Sequence, residues 1–126
     1  MTLVIDASAA GGLLFNTKLD AVFEGDGEFI APDLIILELL NARWKIVRAG
    51  GLAPSVTSIL DFLRRVRILP SLSYATTAAE LSERLNHPIY DCLYVAIARQ
   101  ENLKLLTQDA HLARKLRAHK LGSVLV

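Results

Sequence analysis

The sequence predicts an α/β protein, a three-layer α/β/α sandwich around a mostly parallel sheet. Short β-rich runs alternate along the chain with longer segments of helical periodicity, which is typical of parallel sheets covered by helices on both faces. The apolar residues make up 52% of the chain and only 6% of the residues are aromatic. This composition favours helices packed on buried strands over an all-β fold.

Strands are indicated by short apolar runs between turn signals, at 3–5, 28–31, 68–69 and 103–106, with a last edge strand at 123–126. Helices are indicated by apolar residues with a helical period, at 7–15, 19–23, 32–49, 54–65, 76–85, 89–100 and 110–118. The turn-like segment 25–27 precedes the second strand. Gly50 and Gly51 end the third helix, and Pro88 separates the fifth from the sixth.

Nothing in the sequence divides the chain, since it contains no repeat and no linker, and residues 1–126 are expected to form a single domain. No apolar run approaches the roughly 20 residues that span a bilayer, and the N-terminus lacks the features of a signal peptide. We therefore expect a cytoplasmic protein with no membrane partner. The single cysteine, Cys92, lies in an apolar run and is expected to be a core thiol.

Two acidic residues follow predicted strands. Asp6 comes directly after the first strand, and Asp109 follows the strand at 103–106. In open parallel sheets, ligands bind beyond the carboxyl ends of the strands, where both residues are predicted to lie. Taken singly, each is explained as well by a helix N-cap, because both precede helical segments.

Glu38 interrupts a helical segment that is apolar almost all the way round, at 34–40, and that is therefore expected to be buried. Helical spacing places Asn41 and Lys45 on the same face, so a polar stripe with a contact between Glu38 and Asn41 is an equal alternative. The sequence around this residue leaves both interpretations open.

Asp91 lies among apolar residues from 89 to 98, and the next arginine or lysine after it along the chain is Arg99. An isolated carboxylate in a dry interior would cost on the order of tens of kcal/mol, so it must protonate, pair or bind a cation. The helix dipole contributes only about 0.3 to 1 kcal/mol. The sequence around Asp91 leaves these three possibilities open.

If the four acids meet, their mutual repulsion should raise their pKa values and spread them apart, unless a divalent cation neutralises the group. Oxygen ligands without a cysteine or a histidine pair favour Mg²⁺ or Mn²⁺ over Zn²⁺. The three histidines show no ligand spacing and are interpreted as loop or helix-surface residues: His87, His111 and His119.

Apart from the four acids discussed above, the chain carries more basic than acidic residues, although its net charge is only +1. Setting the four acids aside leaves nine of the 13 acidic residues against 14 basic ones, or +5. The basic residues cluster at 43–48, 64–67 and 114–120, where they can meet a phosphate backbone. Several lie near predicted helix C-termini, so each cluster alone is explained as well by a solvated helix end.

Four short stretches carry a family resemblance: VIDAS at 4–8, AP at 31–32 with ELLNA at 38–42, YDCLYVA at 90–96, and LLTQD at 105–109 with Leu112. In their order and spacing, which span essentially the entire chain, they resemble the PIN-domain nucleases. More narrowly, they are similar to the toxins of bacterial VapBC toxin-antitoxin pairs.

The resemblance implies a homodimeric endoribonuclease that uses Mg²⁺ or Mn²⁺, leaves a 5′ phosphate and a 3′ hydroxyl, and is inhibited by a small VapB-like antitoxin. The acidic quartet of the family corresponds to Asp6, Glu38, Asp91 and Asp109. Supporting polar positions correspond to Thr107, Ser8 and Asn41. The metal would activate water for in-line attack, so no histidine or tyrosine is needed as the general base.

Other functions on a similar fold fit the sequence less well. A phosphoacceptor receiver domain would show an acidic doublet after the first strand, and an aspartyl phosphatase would have a second Asp where Ser8 stands. A catalytically inactive module that binds RNA or a protein partner stays open as the alternative, because fold alone does not establish catalysis. Titration with Mn²⁺ would distinguish that module from a nuclease.

Overall fold

The computed structural model describes residues 1–14 and 27–126. The predicted helix at 19–23, the last residue of the helix predicted at 7–15, and most of the turn at 25–27 lie outside the described residues. Within the described ranges, no helix is long and apolar enough to cross a membrane.

The sheet consists of four parallel strands. They are β1 (Thr2–Ile5), β2 (Glu28–Pro32), β3 (Val66–Leu69) and β4 (Lys104–Leu106), in the order β3-β2-β1-β4. In the centre of the sheet, Val4 of β1 lies between Ile30 and Leu105 of its neighbours. Because all the paired strands are parallel, their carboxyl ends meet at one edge, as the sequence predicted.

Six α-helices in the described residues connect or follow these strands. They are α1 (Ala7–Leu14), α2 (Leu34–Arg48), α3 (Val56–Arg64), α4 (Ala75–Leu85), α5 (Ile89–Gln100) and α6 (Ala110–Ala118). Short 3-10 turns cover Ser71–Tyr74 and Gly122–Val124. Helices α5 and α6 have the predicted bounds, and the α/β sandwich is confirmed.

The core is centred on α5, whose residues Cys92–Ala98 are all buried. This helix packs against α4 and against the sheet, where Val4, Ile5 and Leu105 are fully buried. Cys92 is a buried free thiol, as predicted, and burial raises its pKa to about 11. Seven consecutive buried residues require apolar contacts on every side of a helix, so α5 is the central helix of the fold.

Two local predictions were wrong. The last edge strand does not form, because the chain makes the 3-10 turn Gly122–Val124 and only Leu125 bridges to Leu105. Pro32 ends β2 instead of starting α2. The carboxylate of Asp33 does not cap α2 but accepts a hydrogen bond from the backbone N–H of Ser71 at 3.2 Å, which ties the start of α2 to the segment after β3.

Helix α2 is not buried all round, contrary to the prediction from its apolar sequence. Only Ile35 and Leu39 are buried in it, whereas Leu37 is 68% exposed and Trp44 is 52% exposed. The helix packs on α1, α3 and β2 along one side. Leu34, Ile36 and Leu40 are partly buried against the core, whereas Leu37 and Trp44 have no covering element in the described part of the chain.

Candidate active site

Asp6 is a buried carboxylate at the carboxyl end of β1, with only 4% of the residue exposed. Its Oδ1 atom accepts hydrogen bonds from the Ser8 hydroxyl at 2.7 Å and from the Ala9 N–H at 2.9 Å, so it also caps α1. Burial raises the pKa of Asp6, hydrogen bonds from Thr107, Ser8 and Ala9 oppose this rise, and the charge of Asp91 adds to it. The capping explanation is therefore confirmed for Asp6, and its role in a functional site stays a prediction.

Glu38 projects from α2 and is half-buried. The hydroxyl of Tyr94, a residue that is 1% exposed on α5, donates a hydrogen bond to Glu38 Oε1 at 2.5 Å. Burial raises the pKa of Glu38, the bond from Tyr94 lowers it, and the charges of Asp91 and Asp6 raise it further. The contact between Glu38 and Asn41 that the helical spacing suggested is not found, and Asn41 is exposed.

Asp91 lies in the first turn of α5 and is less buried than its apolar sequence context predicted, with 31% of its side chain exposed. The reason is that the buried stretch of α5 begins one residue later, at Cys92. Asp91 Oδ2 lies 2.6 Å from Nε2 of His87. His87 lies in the loop between α4 and α5, as predicted, but its side chain is buried and bonded to Asp91, which was not predicted from the sequence.

Asp109 follows β4 and caps α6. Its Oδ1 atom accepts hydrogen bonds from the backbone N–H groups of His111 at 3.0 Å and Leu112 at 3.1 Å. Its own backbone N–H donates to the Thr107 hydroxyl, which lies 3.2 Å from the hydroxyl of Ser8. Two hydroxyl groups therefore connect the segment containing Asp109 to Asp6.

The structure brings three of the four acids into electrostatic contact. Asp91 raises the pKa of both Asp6 and Glu38, and Asp6 adds to the rise at Glu38, although burial is the larger cause in each case. Asp109 contributes to neither of these two shifts and is connected to Asp6 through Thr107 and Ser8. The supporting positions Thr107 and Ser8 thus lie in the site, whereas Asn41 is bonded to none of the acids.

Glu38, Asp91 and Asp109 each use one carboxylate oxygen for hydrogen bonds to the protein. For Glu38, Asp91 and Asp109, the second oxygen accepts no hydrogen bond from residues 1–14 or 27–126. In these ranges Arg64 forms an ion pair with Asp61, and His87 forms a hydrogen bond with Asp91, so no arginine or lysine is paired with the acids. Oxygens of repelling carboxylates without a cationic side chain are suitable ligands for a divalent cation.

No three acidic, histidine or cysteine side chains among the described residues form a ready-made metal cage. Mg²⁺ does not require one, because it usually keeps several water ligands and binds through one or two carboxylates. One or two carboxylates from Asp6, Glu38 and Asp91, together with water ligands, would therefore suit a hydrated Mg²⁺ or Mn²⁺ ion.

Sequence reasoning missed two partners of the acids, His87 and Tyr94. A signal for His87 was present, because a spacing of four residues brings its side chain to Asp91 at the start of a helix. No local signal existed for Tyr94, which bonds to a residue 56 positions away in the sequence.

Comparisons with known proteins agree with this fold. A family model described as PIN domain matches residues 3–117. The chain is 29% identical over 127 residues to Ribonuclease VapC3 of Pyrobaculum aerophilum, an alignment that covers 94% of this chain and 97% of that protein. It is 34% identical over 126 residues to Ribonuclease VapC3 of Mycobacterium tuberculosis, with 95% and 92% covered.

Among solved structures, the crystal structure of PAE2754 from Pyrobaculum aerophilum is similar, with a TM-score of 0.70 and 24% identity. The similarity covers 91% of this chain and 87% of that chain. At this level of identity, the structural match supports the fold alone.

Proposed function

The chain belongs to the PIN-domain family, and from this premise we propose that it is a Mg²⁺- or Mn²⁺-dependent endoribonuclease, the toxin of a type II toxin-antitoxin pair. Its relatives in Pyrobaculum and Mycobacterium are named as ribonucleases of the VapC type. Because RNA is the proposed substrate, the cytoplasm is the expected place of action.

The observation that carries the proposal is the group formed by Asp6, Glu38 and Asp91. These carboxylates come from a strand end and two helices, and they have no arginine or lysine partner in the described ranges. The charge of Asp91 raises the pKa of Asp6 and of Glu38, and the charge of Asp6 raises that of Glu38. A purely structural role would favour neutral or paired side chains at such positions, because like charges in a partly buried site are unfavourable. A bound cation removes this conflict.

In the proposed mechanism, Asp6, Glu38 and Asp91 would hold the ion, and Asp109 would complete the acidic quartet at the edge of the site. When bound, the metal lowers the pKa of a water molecule and stabilises charge that develops on the scissile phosphate. The Ser8 hydroxyl and the Ala9 N–H fix the orientation of Asp6. No histidine or tyrosine is required to remove a proton.

Thr107 positions two parts of the site at once. Its hydroxyl accepts a hydrogen bond from the Asp109 N–H at 3.0 Å and lies 3.2 Å from the Ser8 hydroxyl, which donates to Asp6. We propose that Thr107 and Ser8 hold Asp6 and the loop of Asp109 in a fixed relative position. Asn41 is exposed on α2 one turn after Glu38, a position from which it can contact the RNA.

Basic residues near the acids provide contacts for the RNA backbone. Lys45 lines an open cleft of about 780 Å³ that also contains Glu38 and Asn41. On α6, the basic residues Arg114, Lys115 and Arg117 follow Asp109. Such contacts position a phosphate backbone with little dependence on sequence.

RNA cleavage in the presence of Mg²⁺, Mn²⁺ or EDTA tests the proposed function. We expect purified protein to cut a structured RNA with either metal and to stop when EDTA removes it, because the carboxylates alone supply no activated water. Cleavage that continues unchanged in EDTA would contradict the proposal. Retention of RNA binding without any cleavage or Mn²⁺ binding would instead favour the inactive binding module.

An exposed apolar face supports the proposed homodimer. We define this apolar face by Leu34, Leu37, Trp44, Leu72 and Tyr90. Leu72 is 86% exposed and Tyr90 is 60% exposed, and two neighbouring clefts share Leu34 and Tyr90, so the face is continuous. Contiguous apolar surface of this kind marks interaction sites more often than scattered apolar residues do.

Leu37→Asp is expected to convert the dimer to a monomer, because it places a charge in the centre of the apolar face, where it would be desolvated on association. Light scattering coupled to size-exclusion chromatography measures the fraction of dimer. The dimer affinity should fall more than tenfold, which corresponds to about 1.4 kcal/mol. Leu52→Asp is the matched control, since Leu52 is 98% exposed outside this face. A wild-type monomer would assign the face to the antitoxin instead.

A further inference from the structure

His87 is the one described histidine whose side chain is buried against a site carboxylate. Its Nε2 atom lies 2.6 Å from Asp91 Oδ2, and only 4% of its side chain is exposed, compared with 31% for Asp91. We propose that His87 is a positioning residue, which fixes Asp91 in the rotamer that binds the metal. The inference rests on the proposed function, because it gives Asp91 the role of a ligand.

The backbone around His87 is held on both sides. The His87 N–H donates to the carbonyl of Ser82 at 3.1 Å, and the His87 carbonyl accepts a hydrogen bond from the Ser82 hydroxyl at 2.6 Å. Asn86, in the left-handed conformation with φ 48°, ends α4 directly before it, and Pro88 starts α5 directly after it. A side chain anchored in this way can hold a partner in a fixed position.

The bond to Asp91 determines which oxygen remains available for a cation. A hydrogen bond to the carboxylate requires a proton on Nε2, so Asp91 Oδ2 is the acceptor. Asp91 Oδ1 then accepts no hydrogen bond from any described residue. Hydrogen-bonded partners of this kind orient metal-binding carboxylates in many proteins, and their loss weakens metal binding.

A purely structural role explains His87 poorly. Its Nδ1 atom is buried without a hydrogen-bond partner among the described residues, which is unfavourable for folding. The ring of His111 lies on one side, with ring centroids 5.6 Å apart, and does not bond to Asp91. If packing were the only requirement, leucine would fill the same space without leaving a polar atom unpaired.

Mn²⁺ binding, followed by electron paramagnetic resonance of the free ion, tests the proposal together with the melting temperature of the metal-free protein. We expect His87→Leu to weaken Mn²⁺ binding by roughly 10- to 100-fold without lowering that melting temperature. His87→Gln, whose amide N–H can replace Nε2–H, should restore part of the affinity. His111→Leu, which removes the neighbouring ring but no bond to Asp91, should bind Mn²⁺ like the wild type.

Asp91→Asn and the double variant with His87→Leu separate the two proposals. If His87 acts through Asp91, the second substitution has no further effect on Mn²⁺ binding in the Asp91→Asn background. Wild-type affinity in a folded His87→Leu protein, or a fully additive effect in the double variant, would overturn the positioning role alone. Failure of the wild type to bind Mn²⁺, or unchanged binding in Asp91→Asn, would overturn the proposed function.

Discussion

Asp6→Asn is expected to abolish RNA cleavage, with a loss of at least about 100-fold, while raising the stability of the metal-free protein. Asp6 is 4% exposed, and burial raises its pKa, so its negative charge opposes folding when no cation is bound. Asparagine is as good an N-cap as aspartate, and its carbonyl can still accept the bonds from Ser8 and Ala9. The substitution therefore removes the charge and preserves the local structure.

Cleavage under single-turnover conditions and thermal melting in EDTA measure the two effects. The gain in stability should be about 1 kcal/mol, or a few degrees in Tm for a domain of this size. Asp61→Asn is the matched control, because Asp61 is exposed and pairs with Arg64 on the surface. Its replacement should change neither the cleavage rate nor the melting temperature appreciably. An Asp6→Asn protein that melts lower than the wild type in EDTA, or that still cleaves, contradicts the argument.

The positions of Asp6 and Asp109 were predictable because they depend on connectivity alone. A residue directly after a strand of a parallel sheet must lie at the carboxyl edge, and both strands were recognisable from short apolar runs. The proximity of Glu38 to Asp91 could not be predicted in this way. It depends on how α2 and α5 pack, and the bond from Tyr94 to Glu38 becomes visible only after the two helices are placed.

Burial was harder to predict than secondary structure. A helix rich in leucine and isoleucine has the same sequence pattern whether its second apolar side is covered by the same chain or by another, and α2 leaves Leu37 and Trp44 exposed. The same ambiguity affected Asp91, whose apolar neighbours are buried while its own position at the start of α5 leaves it partly exposed. Sequence periodicity reports apolar faces, not what covers them.

Mg²⁺ is expected to stabilise the folded protein at neutral pH and to lose this effect in acid. Burial raises the pKa of Asp6 and of Glu38 above their ordinary values of 3.8 and 4.5, so the folded state favours the protonated forms. The contribution of the protonated carboxyl groups to the free energy of unfolding is fully present below these ordinary pKa values. It is lost as the pH rises through the raised pKa values of the folded state. Metal-free protein should therefore lose this part of its stability towards neutral pH, where a cation can replace the lost protons.

Thermal melting between pH 4 and 8, with Mg²⁺ or EDTA, measures this linkage. At a Mg²⁺ concentration about 100 times the Kd, binding to the folded state alone contributes about 2.7 kcal/mol, or roughly 5 to 10 °C in Tm. The difference in Tm between the samples with Mg²⁺ and with EDTA should shrink towards pH 4, because protonated carboxyl groups do not bind Mg²⁺. Asp6→Asn should show neither the Mg²⁺ effect nor the part of the pH dependence that Asp6 provides. A Mg²⁺ effect of equal size at both ends of the pH range would mean that the ion binds elsewhere and that these carboxylates do not hold it.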